Sequence, residues 1–215
     1  MLLSSAYFPP VEYFALLARD ITLSADKVIP SCAVLEAHEH YAKQTWRNRC
    51  RILAATGPDI LQVPVIHDAP KMPIREVRIE YTTPWVVRTE RAIDSAYRTS
   101  AYFEFYREDL YTILDAQPEY LFDLNLSILR FFLEKLGLPV RLSLSDDFTL
   151  PGTVEDDWRF VLTPKKPNTI LQDLGLGKPY YQVFSGKYGF VPGLSVMDLL
   201  FNEGPDSILY LKSVR

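Results

Sequence analysis

The side chains best suited to chemistry lie close together, between Glu36 and Arg51. Two of the three histidines, His38 and His40, occur here. If the chain is extended, they share one face with Glu36, because side chains alternate along a strand. That face could provide metal ligands or an acid–base pair, whereas on a helix residues two apart diverge by about 200°. We predict that His38 and His40 are catalytic, with a polar surface stretch as the alternative.

Positive charge gathers in the same segment. Arg47, Arg49 and Arg51 share one face of an extended chain, and Lys43 precedes them. A guanidinium fork binds phosphate or carboxylate through two hydrogen bonds, so we predict that Lys43, Arg47 and Arg49 hold an anion. A phosphate, a diphosphate or a phosphopantetheine arm would fit such a site. The alternative is internal pairing of the arginines with Glu36, with Glu39 or with acidic residues later in the chain.

The opposite face of the extended segment carries Trp46 and Asn48, which we predict to contact the substrate. Asn125 is predicted to join them from a helix whose other apolar positions form a wide face. A buried amide on such a face is expected to point into a pocket. An exposed helical asparagine is the alternative for Asn125.

Cys50 is the one thiol within this polar segment, and it is predicted to be a nucleophile. Neighbouring cations lower the pKa of a thiol and favour the reactive thiolate. With His38 or His40 as the base, the arrangement would suit acyl transfer. The alternative is a small buried core residue, since Cys50 precedes an apolar strand. Cys32 is predicted to be a core residue.

Two further motifs have structural interpretations. His67 and Asp68 follow a predicted strand, where they could orient one another or cap the strand end in water. The segment 185–189 lacks the spacing of a phosphate-binding loop, and we interpret it as a tight turn.

Composition sets the class of protein. The chain has 215 residues, of which 48% are hydrophobic and 23% charged, as in a soluble globular protein with one domain spanning residues 1–215. The net charge of −4 does not favour general nucleic-acid binding. The sequence shows neither a secretory leader nor a membrane-spanning stretch, so we expect a cytoplasmic protein with free thiols and no membrane insertion.

Periodicity predicts an α+β fold, with a mixed β-sheet mainly in the N-terminal half and helices mainly in the middle and C-terminal parts. Strands are predicted at 3–6, 28–29, 32–35, 74–79 and 140–144, with a hairpin over 51–66 that turns at 57–59. Helices are predicted at 11–19, 89–97, 103–114, 121–136, 169–174, 195–201 and 205–211.

Taken in order, these motifs resemble the WbqC-like protein family over nearly the whole chain. The resemblance is carried by the aromatic opening 7–14, the Glu-x-His-Glu-His-Tyr-x-Lys-Gln-Thr-Trp-Arg-Asn-Arg-Cys-x-Ile run at 36–52, Gly57, the Leu-x-Val-Pro-Val strand at 61–65, Trp85, the aromatic run 97–106, Leu124–Asn125 and the closing segment 199–204. It implies a bacterial protein encoded among surface-polysaccharide genes. It also implies a role in attaching an amino acid or acyl group to an amino sugar.

Three functions are compatible with these residues. The first is an aminoacyl- or acyltransferase of O-antigen-type polysaccharide synthesis, acting on a small substrate such as a nucleotide sugar or a carrier-bound acyl group. The second is a non-catalytic module that binds a glycan or a partner protein. The third is a hydrolase with a metal held by Glu36, His38, His40 and another carboxylate. The sequence assigns no cofactor and no oligomeric state.

Overall fold

The computed structural model describes residues 1–24, 26–66 and 69–212, and His67 and Asp68 therefore lie outside the described residues. The strands are β1 Leu2–Ser4, β2 Thr22–Leu23, β3 Val28–Ile29, β4 Ser31–Glu36, β5 Arg49–Ala54, β6 Gly57–Gln62, β7 Val65–Ile66, β8 Arg78–Ile79 and β9 Val140–Leu144. The helices are α1 Val11–Arg19, α2 Trp85–Tyr97, α3 Phe103–Asp115, α4 Leu121–Lys135, α5 Ile170–Asp173, α6 Ser185–Tyr188, α7 Val196–Glu203 and α8 Ser207–Leu211.

A three-stranded parallel sheet forms the centre of the fold. Strand β4 lies between β1 and β9, with Leu2 opposite Val34 and Ser31 opposite Val140. Because the strands are parallel, their carboxyl ends, at Ser4 and at the ends of β4 and β9, meet at one edge. The other strands pair as small antiparallel units, β2 with β3, β5 with β6 and β7 with β8. The predicted α+β class is confirmed.

The helices bury their apolar faces against this sheet and against each other. Helix α1 follows β1 and precedes β4, and every residue from Val11 to Ala18 is buried. In α4 the predicted apolar face is buried from Leu121 to Leu133, at the spacing of one helix face. The helix ends just before Gly137, which adopts a left-handed conformation (φ 64°) that glycine tolerates.

Three local predictions are wrong. The hairpin turns at Ala55 and Thr56 rather than at 57–59, because Gly57 (φ 117°) already pairs with Ala54 as the first residue of β6. Residues 74–79 are not one strand, because Ile74–Glu76 forms a 3₁₀ turn before β8. The segment 185–189 is the short helix α6 and its glycine cap rather than a simple turn. No helix among the described residues has the length and apolar character needed to span a membrane.

A buried carboxylate joins the C-terminal helices to the segment before them. Asp198, in α7, is 1% exposed and accepts a hydrogen bond from Gln182 Nε2 at 2.9 Å. The Gln182 side chain also donates from Nε2 to Val191 O and accepts at Oε1 from Val191 N. Burial raises the pKa of Asp198 to about 6, although hydrogen bonds from Tyr180 and Gln182 oppose the shift.

This pKa predicts a pH-dependent stability. A carboxyl group whose pKa rises on folding binds more protons when folded, so its contribution is complete below about pH 4 and is lost as the pH rises through 6. We expect the stability of Asp198→Asn relative to the wild type to increase by up to ~3 kcal/mol between pH 4 and pH 7. Urea unfolding of both proteins at pH 4, 5.5 and 7 measures this difference. A difference that stays constant with pH would show that Asp198 does not titrate in this range.

Candidate functional site

A cavity of about 320 Å³ opens at the carboxyl edge of the parallel sheet. Its wall includes Ser4 at the end of β1, Glu39 and His40 after β4, and Phe148 after β9. Loops at this edge of a parallel sheet commonly hold ligands, because the strands place several chain segments side by side there. The parallel pairing of β1, β4 and β9 thus brings distant parts of the sequence to one cavity.

The segment between β4 and β5 folds as an irregular loop rather than as a strand. Backbone hydrogen bonds tie it to other elements instead: Tyr41 N donates to Met72 O, and Tyr7 N donates to Trp46 O, each at 2.8 Å. Gln44 has a positive φ of 58°, which reverses the chain. The alternation of side chains predicted for residues 36–51 therefore holds in β4 and β5 and fails in the loop between them.

A buried ion pair forms the floor of the cavity. Arg47 Nε donates to Glu39 Oε1 at 2.9 Å, and Arg47 Nη2 donates to Glu39 Oε2. Ser4 Oγ accepts from Arg47 Nη2 at 2.8 Å and donates to Glu39 Oε2 at 2.9 Å. The alternative of internal pairing is therefore confirmed for Arg47, and its charge is balanced by Glu39 instead of being left for a substrate anion.

A second buried ion cluster supports the cavity from the side. Arg159 Nη1 donates to Glu36 Oε2 at 2.9 Å, and the Arg159 guanidinium donates two further hydrogen bonds to Asp157. Burial acts to raise the pKa of Glu36, but hydrogen bonds from His38 N, from the Ser145 hydroxyl and from the Thr149 backbone hold it below its ordinary value. Both oxygens of the Glu36 carboxylate are therefore hydrogen-bonded to protein groups.

Aromatic rings line the mouth of the cavity. The guanidinium carbon of Arg159 lies 5.7 Å from the ring centroid of Phe148 and 5.2 Å from that of Phe160. Phe160 is 58% exposed although it lines the cavity, and Trp46 is half-buried. Rings at a cavity mouth offer flat apolar surfaces on which a sugar or a nucleobase can stack.

His40 stands at this mouth. Its ring stacks on Phe148 with 6.3 Å between centroids and 12° between planes. Its backbone forms a bridge with Pro73, which fixes where the ring projects. The side chain is exposed and lines the cavity, so a molecule bound in the cavity can contact it.

Cations line a groove that continues from the cavity. A cleft of about 510 Å³ shares Trp46 and Lys165 with the cavity and adds Arg51 and Lys166, and a smaller one of about 210 Å³ contains Arg49 beside the same two residues. We call Arg49, Arg51, Lys165 and Lys166 the cationic groove. In the part of the chain that the structure describes, none of the four forms an ion pair. Because the whole protein has a net charge of −4, four unpaired cations in one groove indicate a place that attracts anions.

Several predicted site residues lie elsewhere. Lys43 is exposed and does not line the cavity or the cationic groove. His38 is half-buried, and its backbone N–H donates to Glu36. Asn48 Nδ2 donates to Val63 O at 3.0 Å. These contacts position the loop rather than a ligand.

Asn125 and Cys50 are both buried. Asn125 Nδ2 donates to Arg47 O at 2.8 Å, so it supports the floor of the cavity from α4. Cys50 is 1% exposed in β5, and burial raises the pKa of its thiol well above the ordinary value. It does not line the cavity, and we leave it out of the proposed catalytic set. Cys32, predicted to be a core residue, is exposed on β4.

The metal hypothesis lacks a suitable set of donors. Both oxygens of Glu36 accept hydrogen bonds from protein groups, so this carboxylate already has partners within the protein. Within the described ranges, no group of three or more His, Cys, Asp or Glu side chains is arranged to hold a metal ion.

Sequence reasoning missed the contribution of residues 148–166. No site residue was predicted in this stretch, yet it supplies Phe148, Arg159, Phe160 and Lys165 to the site. The signal that could have identified it is the Trp-Arg-Phe run at 158–160 followed by Lys165–Lys166. Aromatic and cationic side chains together in an irregular segment are typical of a binding loop.

Comparison with known proteins identifies the family of the chain. The chain is similar to an uncharacterised protein of Mycobacterium tuberculosis, Rv1507c, with 29% identity over 200 residues, which cover 81% of this chain and 85% of that protein. No solved structure matches the chain. A model of the WbqC-like protein family matches residues 4–171, a range that contains the cavity floor and the whole cationic groove. The chain therefore belongs to the WbqC-like protein family.

Proposed function

We propose that this protein is an acyl- or aminoacyltransferase of bacterial surface-polysaccharide synthesis, working in the cytoplasm on a phosphate-bearing small substrate. The observation that carries the proposal is the continuity between the aromatic cavity and the cationic groove. A nucleotide sugar and a coenzyme-A-type carrier both combine a flat or apolar body with phosphates. The cavity would take the body, and the groove would hold the phosphates.

The groove suits phosphate better than the arginine face expected from the sequence. Arg49 and Arg51 are two residues apart on β5, so their side chains leave the strand on the same face. Lys165 and Lys166 approach from a separate segment and complete the groove. Unpaired cations of this kind bind phosphate without first breaking an internal ion pair.

The proposed reaction joins an acyl group to an amino sugar. The amine of the sugar attacks the carbonyl carbon of a carrier-bound thioester, a C–N bond forms and the C–S bond breaks. His40 accepts the proton from the amine and returns it to the departing thiolate, which leaves as a thiol. His40 suits this role because its imidazole is exposed at the mouth of the cavity.

Replacing His40 tests the catalytic part of the proposal. We expect His40→Ala to reduce turnover about 100- to 10,000-fold, the usual contribution of a general base, while substrate affinity changes less than twofold. Mass spectrometry of mixtures containing acyl-coenzyme A and amino-sugar nucleotides measures the product. His38→Ala is a matched control, since His38 lies two residues away and does not line the cavity.

The outcomes separate the proposed functions. A loss confined to His40→Ala supports catalysis at the mouth of the cavity. Equal losses in both variants would contradict the role assigned to His40. Tight binding of a substrate with no product from the wild-type protein would support the non-catalytic binding module instead.

A further inference from the structure

One buried carboxylate has a different environment from the others. Glu12 lies in the first turn of α1 and is 7% exposed, and within the described residues its Oε2 has no hydrogen-bond partner. Glu36 and Glu39 are also buried, but each is paired with an arginine. Leaving a carboxylate oxygen buried and unsatisfied is costly, and such an atom in a cleft commonly marks a place for a ligand.

Glu12 faces the cationic groove from its inner end. It lines the same cleft as Arg51, Lys165 and Lys166. The guanidinium of Arg51 is near enough to lower the pKa of Glu12, although burial is the larger effect and raises it. The two groups form no ion pair within the described ranges, so both remain available to a third partner.

Gly193 lies beside the side chains of both Glu12 and Arg51. A Cβ atom at this position would lie 3.5 Å from Glu12 Oε1 and 4.0 Å from Arg51 Nη1. Its φ of +70° also favours glycine over residues with a side chain. The backbone at Gly193 therefore lies beside both the carboxylate and the guanidinium, and a side chain there would contact both.

We propose that this end of the groove is a second subsite, which binds a phosphate ester carrying a hydrogen-bond donor. Arg51, Lys165 and Lys166 hold the phosphate, and Glu12 Oε2 accepts the hydrogen bond from a hydroxyl or ammonium group of the ester. The phosphate part rests on the proposed function. The role assigned to Glu12 rests on its buried carboxylate oxygen, which has no hydrogen-bond partner among the described residues. A hydrogen bond to this oxygen would make the groove selective among phosphorylated ligands.

Three small esters provide the test. Methyl phosphate has no donor, glucose 1-phosphate carries hydroxyl groups, and glucosamine 1-phosphate adds an ammonium group. Isothermal titration compares the wild-type protein with Glu12→Gln. A hydrogen bond to a charged group is worth about 10- to 100-fold in affinity, so Glu12→Gln is expected to weaken the sugar esters by that factor. Methyl phosphate is expected to bind the variant as tightly or more tightly, because a negative charge near the phosphate has been removed.

Glu104→Gln is the matched control. Glu104 occupies the first turn of α3 as Glu12 does in α1, but it is exposed and lies away from the groove. We expect its affinities to equal those of the wild type. A thermal melt of Glu12→Gln checks that the variant is folded, and Glu12→Asp keeps the charge as a second variant, so that partial recovery of sugar-ester affinity supports the subsite.

The results distinguish the two proposals. Equal changes for all three esters in Glu12→Gln, or no change, would overturn the subsite. If methyl phosphate binding is nevertheless lost in Arg51→Ala, the phosphate role of the groove stands. If none of the three esters binds the wild-type protein, both the subsite and the phosphate part of the proposed function are wrong. A preference for glucosamine 1-phosphate over glucose 1-phosphate, lost in Glu12→Gln, identifies the donor as an ammonium group.

Discussion

Arg47→Ala is expected to lower the free energy of unfolding by about 3–5 kcal/mol. The substitution leaves Glu39, which is 4% exposed, without its counter-ion in the interior. It also removes the hydrogen bond that Arg47 donates to Ser4 and so weakens the link between β1 and the loop after β4. Urea unfolding of the variant and the wild type measures the change.

Arg141→Ala is the control for this prediction. Arg141 is an exposed residue of β9 with no ion pair in the described part of the chain, and its substitution is expected to change stability by less than about 0.5 kcal/mol. A cost below about 1 kcal/mol for Arg47→Ala would contradict the buried pair. In that case Arg47 would be free for a substrate anion, as the sequence first indicated.

The double substitution of Arg49 and Lys165 by alanine is expected to weaken binding of a nucleotide sugar or of coenzyme A by about 100-fold or more. Each lost charge-assisted contact costs about 1.5–3 kcal/mol. Stability is expected to change little, because neither side chain forms an ion pair within the described residues. Isothermal titration at low and high salt measures the affinity, and the wild-type affinity should fall at high salt.

A matched pair of substitutions controls for net charge. Arg130 and Arg141 are exposed cations away from the groove, and their double alanine variant changes the charge of the protein by the same amount. If this control weakens binding as much as the groove variant does, the attraction comes from overall charge and not from a built site. An unchanged affinity in the groove variant would exclude the groove as the phosphate site.

Local pattern predicted much of the fold. Helix α4 was predicted within one residue because its apolar positions keep helical spacing until Gly137 ends it. Strands β4 and β9 were recognised from their composition and alternation. The parallel pairing of β4 with β1 and with β9 was not predicted, because about 100 residues separate β4 from β9 and nothing local specifies the partner of an apolar strand.

The site was harder to predict from the sequence than the helices were, because its residues come from distant parts of the chain. The pairing of Arg47 with Glu39 was foreseen as an alternative, since only eight residues separate them. Arg159 reaches Glu36 from 123 residues away, so only tertiary structure shows that this carboxylate is unavailable. The predicted alternation of side chains also required an extended chain from residue 36 to residue 51. The chain is not extended there, because backbone hydrogen bonds tie the loop to other elements.

Hydrogen–deuterium exchange of the wild-type protein, with and without saturating uridine diphosphate N-acetylglucosamine or acyl-coenzyme A, tests most directly whether cavity and groove form one ligand site. We predict slower exchange both in residues 40–49 and in residues 158–168, the two segments that face each other across Trp46 and Lys165. A separate cleft of about 800 Å³, lined by residues within 175–181 and 203–210, lies outside the family match and should stay unchanged. Protection confined to that cleft would contradict the assignment of the site.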